Sequence, residues 1–374
     1  MIKPVIAPQV SVFMSFFLYA LVLGGIYPRL GDLQIQMGVG ETVLGLSLLG
    51  VSLGTQISLM FSGPLVERLG HRLIIILCIP LIGFAEVAAT MSTSPVMFFF
   101  CLAFAGLAIG AIEIVVNLEA DRTELMLGKR IMNRSHAFWS FGFFAAGLLS
   151  AAASELNIGP TTQVLWQTLI SSVVALGIFY NYAPAPSRLI EENPQPKFVR
   201  PTTGILALVV FTLSAMLLEG AGIDWSVIFM RDVFEVSPFI NGLAFAAGAL
   251  PQAITRFYTD GFVDRFGPTK VAKICIAILG IGVLIVTFGN VAYLALLGFG
   301  LMGIGTSCIF PLAMSAASNV ASLAQFSFII FLIAPPALGF IAEHFGIRFS
   351  FGIGIPLVII SWFMAHQLVG KKAT

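Results

Sequence analysis

Glu113 and Asn117 stand four residues apart in the run "GAIEIVVNLEADR", so on a helix they share one face. The run is otherwise apolar, and a charged side chain at mid-membrane costs at least about 2.5 kcal/mol, which marks such a residue as functional by default. A carboxyl in a half-dry cavity can load and release a proton near neutral pH. Gly106 and Gly110 lie on or near the same face and permit close backbone approach there. The competing reading is a neutral Glu113 bonded structurally to a neighbouring helix. Glu219, in "LLEGAGIDWS", is a second candidate for coupling or solute contact, placed toward the outer end of its run, and Asp224 reads as a helix-end or outer-gate residue. Glu86 reads as structural or interfacial. Tyr19, Gln56, Asn241 and Gln252 are polar groups in apolar runs that can hydrogen-bond a polar solute, and equally serve as glue between helices. Trp139 stands near a possible cavity wall, where an aromatic face can pack on the apolar face of a solute. Arg256, in "PQAITRFYTD", is expected to snorkel to the interface or pair with Asp260.

These residues need a frame, and composition names it. The 374-residue chain is 58% hydrophobic and 10% charged, with mean hydropathy +0.99. A soluble domain carries roughly 25% charged residues, so this surface faces lipid. Twelve apolar stretches can be marked, near 10–28, 42–62, 73–91, 95–118, 136–154, 164–183, 203–222, 238–258, 270–289, 291–315, 320–342 and 348–368. Each is close to the ~20 residues a helical span needs, and runs this continuous are helices rather than barrel strands. The first is read as a retained span, not a removed leader.

Placing the N-terminus inside puts 16 of the 19 Lys and Arg on the inner side and only Arg29, Arg231 and Arg348 outside, the orientation that positive charge enforces. Both termini are therefore expected in the cytoplasm, with the chain in the cell's inner membrane. The Pro-rich, charged stretch "APAPSRLIEENPQPKFVRPTT" cannot form a core and reads as a linker over 184–202, between six spans in 1–183 and six in 203–374.

Composition also excludes. A net charge of +1 is no nucleic-acid footprint. Cys78, Cys101, Cys275 and Cys308 sit in apolar runs without metal spacing. His71, His136, His344 and His366 are scattered, which weakens the reading as a membrane-embedded enzyme. No GxxxxGK[ST] loop is present for ATP drive. No cofactor is expected, and nothing in the sequence calls for more than a monomer.

Two charged knots remain: "GPLVERLGHR" from Gly63 and "GFVDRFGPTK" from Gly261, 198 positions apart (261 − 63). Each falls between the second and third span of its half, so they mark an internal repeat of the kind one transporter architecture uses. The first resembles the G-x-x-x-D-R-x-G-R-R loop of the major facilitator superfamily. Gly63, Arg68, Gly70 and Arg72 fit it, with Glu67 for the usual Asp and His71 for a common Arg. The second keeps Gly261, Asp264, Arg265 and Gly267. "GAIEIVVNLEADR" and "EGAGIDWSVIFMRD" are similar to the fucose:proton symporter branch and to small bacterial relatives.

The resemblance implies an all-α integral membrane fold, twelve helices in two pseudo-symmetric six-helix bundles, and secondary active transport by alternating access. It implies proton coupling through the acid matching Glu113, a small polar solute such as a sugar, and pathway-facing places for Gln56, Asn241 and Gln252. It also implies that the knot, with Glu67 and Arg68 at its centre, latches the outward-open state. Proton-driven efflux of an amphiphile is the rival within the class, and a non-transporting sensor a remoter one. The repeat offset falls to about 188 when Ser140 onward is matched to Phe328 onward, so the second half is shorter near Ser318-Asn319-Val320.

Overall fold

In the computed structural model, residues 7–186, 201–317, 323 and 326–368 are described. Among them every regular element is helical: α1 (Pro8–Leu23), α2 (Leu30–Met37), α3 (Glu41–Phe61), α4 (Gly63–Thr90), α5 (Pro95–Leu127), α6 (Met132–Glu155), α7 (Pro160–Phe179), α8 (Thr203–Val233), α9 (Pro238–Phe266), α10 (Pro268–Phe288), α11 (Ala292–Thr306), α12 (Ile309–Ala316), α13 (Ile330–Phe345), α14 (Ile347–Gly352) and α15 (Gly354–Met364). In lipid a helix satisfies its own backbone, which is why apolar runs of this length take no other form. The pairs α1–α2, α11–α12 and α14–α15 each make one continuous crossing, giving twelve where hydropathy predicts twelve.

Ten of the twelve are long and apolar enough to cross a membrane by length and composition. The two others are informative. α13 has 16 residues and carries Pro335-Pro336. α9 has 29 residues, but Asn241, Gln252, Pro238 and Pro251 lower the hydropathy of its charge-free part, and Arg256, Asp260, Asp264 and Arg265 follow. Lipid is faced by large apolar side chains such as Phe100, Val173, Tyr293 and Phe363, each more than 60% exposed.

Buried side chains form two clusters. One draws on residues 12–179 and Phe245; the other on 205–368 together with residues of α2, α3, α5 and their neighbours, including Leu30, Leu44 and Phe98. α6 packs along α9, and α3 along α13, which joins the two halves of the chain. Within the first half, α3 crosses α5 at backbone contact. A Cβ on Gly54 would strike the Ala103 carbonyl, and one on Gly106 the Val51 carbonyl. Small residues are the usual means of such approach where lipid offers helices no hydrophobic drive to associate.

The repeat is visible in the backbone. Gly70 (φ 74°, ψ 158°) interrupts α4, and Gly267 (φ 81°, ψ 154°) separates α9 from α10. Only glycine adopts this region without strain. The matched pair lies 197 positions apart (267 − 70), one fewer than the leading glycines suggest, because the second knot has one residue less before its turn. The linker expected over 184–202 and the shortening near Ser318-Asn319-Val320 fall mostly or wholly outside the described residues.

Candidate functional site

Two polar clusters, one within the first half and one mainly in the second, meet at α6. In the first, Glu113 and Asn117 share a face of α5 as their spacing requires. The Asn117 amide donates to Glu113 Oε1 at 2.9 Å and to the Glu113 carbonyl at 2.8 Å. The Tyr19 hydroxyl of α1 faces the same carboxyl, and the Trp139 indole N–H of α6 faces that hydroxyl. Four of the sequence candidates thus converge: Tyr19, Glu113, Asn117 and Trp139.

The second cluster belongs to α8, α9 and α11, and here the structure corrects the expectation. Arg256 neither snorkels nor pairs with Asp260. Its Nη2 contacts Glu219 Oε1 at 3.0 Å, its Nη1 donates to Ser140 Oγ at 2.9 Å, and its Nε to the Ser307 carbonyl at 3.2 Å. Gln252 Nε2 donates to Glu219 Oε1 at 2.9 Å and to Thr306 Oγ1 at 3.2 Å, while Ser140 Oγ donates to Gln252 Oε1 at 3.0 Å. Glu219 lies in the middle third of α8, not toward its outer end. The two charged side chains are 12% and 17% exposed, so the pair is held away from bulk water. The sequence hint for this cluster is the same four-residue spacing that marks Glu113 and Asn117: Gln252 and Arg256 share a face of α9.

A cavity of about 50 Å³ lies against these groups, lined by Trp139 and Phe143 from the first half and by Glu219, Phe245, Gln252 and Phe299 from the second. Trp139 stacks on Phe143 at 4.1 Å between ring centroids, and Phe143 on Phe245 at 5.4 Å. The wall is therefore aromatic, with Glu219, Gln252 and Thr306 as its polar spots. Gln56 and Asn241 do not line it, contrary to the expectation for them. Asn241 stands one turn into α9, with its Oδ1 buried and unpartnered, and Gln56 is half-buried on α3.

The side of the bundle carrying the start of α1 and the end of α7 can be called the linker side. The far side is closed by bonds between the halves. Arg231 donates to the Gly31 carbonyl and to Gln34 Oε1, and the Thr42 amide donates to Glu343 Oε2 at 2.8 Å. The Phe239 amide donates to Glu155 at 2.9 Å. All three arginines expected on this side bond backbone carbonyls, and Arg29 and Arg231 also pair with Asp32 and Asp232. Arg29 reaches Ile158, Arg231 reaches Gly31, and Arg348 reaches Thr287 and Gly289 at the end of α10.

On the linker side the second knot crosses between halves: Asp264 faces Arg130 at 3.6 Å, both well exposed, and Asn133 donates to Asp260. Arg265 lies over Phe266 of its own helix. The first knot makes no ion pair to the other half among the described residues. Gly63, Glu67 and Arg68 are exposed, and Arg72 lies over the Tyr180 ring at 5.5 Å. Its histidine does more than the sequence suggests. His71 bonds Glu119, which is 1% exposed and also accepts from the Tyr182 hydroxyl and, at 3.1 Å, from the Ala185 amide. Burial and the Glu119 carboxylate push the Tyr182 phenol up, so it stays protonated as the donor. Sequence reading passes over Glu119 because its partners lie 48 and 63 positions away.

Residues 204–369 match the sequence model of the Major Facilitator Superfamily. The second half of the chain thus carries the sequence pattern of that superfamily. An uncharacterized MFS-type transporter of Yersinia pestis is 26% identical over 94% of this chain and 93% of its own length. The nucleoside transporter NupG overlays with TM-score 0.73 at 12% identity, over 98% of this chain and all of that one. A D-xylose-proton symporter does so with TM-score 0.73 at 13% identity, over 98% of each. The E. coli fucose:proton symporter FucP gives 0.61 at 17% identity, over 99% of this chain and 100% of that one. These three likenesses give the fold alone. The chain thus has the multi-pass major facilitator fold, all-α as the sequence predicts.

Proposed function

We propose that this major facilitator chain carries a small polar solute, a sugar or related metabolite, together with protons, by alternating access in the cell's inner membrane. The observation that carries the reading is the cavity itself. It lies between the halves, takes its lining from both, and is backed by the Glu113–Tyr19–Trp139 line on one side and the Glu219–Gln252–Arg256 cluster on the other. At about 50 Å³ it has room for water and not for a sugar, so a solute enters only when the halves part. The structural neighbours named for xylose, fucose and nucleoside transport support the solute class, and those named as proton symporters support the coupling.

The bodies that rock are residues 1–183 and 203–374, joined by the linker. Glu113 is the proton carrier: its carboxyl sits in the first half, reaches the cavity through Tyr19 and Trp139, and keeps Asn117 as partner in either protonation state. Orientation follows from charge. With Arg29, Arg231 and Arg348 held by carbonyls and acids of the far side, most of the other Lys and Arg fall to the linker side, which is therefore cytoplasmic. The far side carries more of the bonds between the halves than the linker side, which supports an inward-facing arrangement, and the separation of Glu67 and Arg68 from the second half fits a knot that latches only when the linker side closes. The chain works as a monomer and needs no cofactor beyond the gradient.

The aromatic wall of Trp139, Phe143, Phe245 and Phe299 gives the second reading, proton-driven export of an amphiphile, its one specific support. Uptake into proteoliposomes under an inward proton gradient tests the pair. Wild-type protein is expected to accumulate a labelled solute of the sugar class. Glu113→Gln is expected to lose accumulation while retaining exchange at equal pH. Accumulation unaffected by Glu113→Gln contradicts the assignment of the carrier. Extrusion of amphiphiles, with no movement of any sugar-class solute, replaces the first reading by the second.

A further inference from the structure

Arg256 bonds a side chain that lines the central cavity, and two of its own N–H donors are left over. A guanidinium has five N–H donors arranged as a planar fork. Three are placed: Nε on the Ser307 carbonyl, one of Nη1 on Ser140 and one of Nη2 on Glu219. The Glu219 contact uses a single carboxylate oxygen, Oε1, which it shares with Gln252. A carboxylate in register with a guanidinium fork takes two parallel N–H bonds instead. Glu219 is thus a weak, one-toothed partner that another carboxylate can replace, and it lines the cavity from which that carboxylate would come.

We propose that the transported solute bears a carboxylate, which displaces Glu219 from Arg256 and takes the guanidinium bidentately. This deepens the function proposed above and rests on it: the solute is a hydroxylated acid, such as a sugar acid, rather than a neutral sugar. Three features of the site favour that class. The aromatic wall offers faces for the C–H side of a ring. Gln252, Thr306 and the displaced Glu219 offer hydrogen bonds to hydroxyls. Ser140 belongs to the first half and Arg256 to the second, so a carboxylate seated there bonds at the joint between the moving bodies. Binding energy is then available to bias their arrangement. The charge balance is also simple, since one carboxylate moving with one proton carries no net charge across the membrane.

The test is a matched series of three probes: D-glucuronate, its methyl ester and D-glucose. These differ at one carbon in charge and shape. Binding is read as thermal shift of the intact protein, and transport as counterflow in proteoliposomes, for wild type, Arg256→Lys and Arg256→Gln. Wild type is expected to bind and exchange glucuronate and to ignore the ester and glucose. Arg256→Lys keeps the charge but loses the fork and is expected to weaken glucuronate by about tenfold or more, the worth of one charge-assisted hydrogen bond. Arg256→Gln is expected to abolish binding. Should that variant fail to fold, the ester comparison on wild type still decides. Glucose and the ester exchanging as well as glucuronate would overturn the carboxylate proposal while leaving proton-coupled sugar transport standing. None of the three being bound or moved would overturn both.

Discussion

Glu219 and Arg256 hold each other in a place where neither can stand alone. Breaking a buried ion pair by removing one partner typically costs about 3–5 kcal/mol, because a charge is left uncompensated, whereas replacing both by apolar residues of similar size is often neutral. Glu219→Leu is therefore expected to lower the melting temperature of the purified protein sharply, and Glu219→Leu combined with Arg256→Met to restore most of the loss. Equal loss in single and double variants would show that the pair has no mutual role. Tyr182 gives a second residue-level expectation. Its hydroxyl ties the segment after α7 to Glu119 and, through it, to His71 of the first knot. Tyr182→Phe removes one of the two donors on Glu119 Oε2 and leaves the Ala185 amide as the other, a loss of about 1 kcal/mol. Amide exchange at residues 182–186 should quicken, and unchanged protection there would contradict the tether.

Among elements, the α3–α5 crossing is the most constrained. Gly54 and Gly106 lie against the partner's carbonyls, so a side chain at either must push two backbones apart. Overpacking of this kind costs about 1–3 kcal/mol. Gly54→Leu or Gly106→Leu should lower folded yield and melting temperature, whereas Gly63→Ala, at an open position, should not. Equal tolerance at all three would show the crossing to be loose.

The elements are also where the sequence was most legible. Hydrophobicity runs along the chain in one dimension, so the twelve spans, the knots and the repeat could all be read from it. α9 reads as an apolar stretch although Asn241 and Gln252 lower its hydropathy, and Gln252 is polar because it faces inward, onto Glu219. The register between neighbouring helices is not written in one dimension. Glu219 and Arg256 are 37 positions apart, and only the tight turn at 234–237 brings them level, so the pairing was invisible while each residue was noticed. Glu113, Asn117, Tyr19 and Trp139 were each noticed too, and their convergence needed the packing of α1, α5 and α6. Gln56 and Asn241 were misplaced because a polar residue within a span signals a neighbour and does not name it.

The whole molecule is an arrangement of two halves bridged at both ends. Arg231 on Gln34 and Glu343 on Thr42 hold the far side, while the linker side is bridged by Asn133 on Asp260 and by the exposed Asp264–Arg130 pair. Alternating access requires these two ends to open in turn, and that requirement is the core of the functional reading. It is tested most directly by distances between spin-label pairs in proteoliposomes, with the native cysteines replaced. Labels at Met37 and Glu235 report the far side, and labels at Leu69 and Ser315 the linker side. Two populations are expected in each pair, shifting in opposite directions when pH or solute is changed: Met37–Glu235 lengthens as Leu69–Ser315 shortens. Distances that stay fixed in both pairs, in a preparation that transports, would contradict rocking of the two halves about the central cavity.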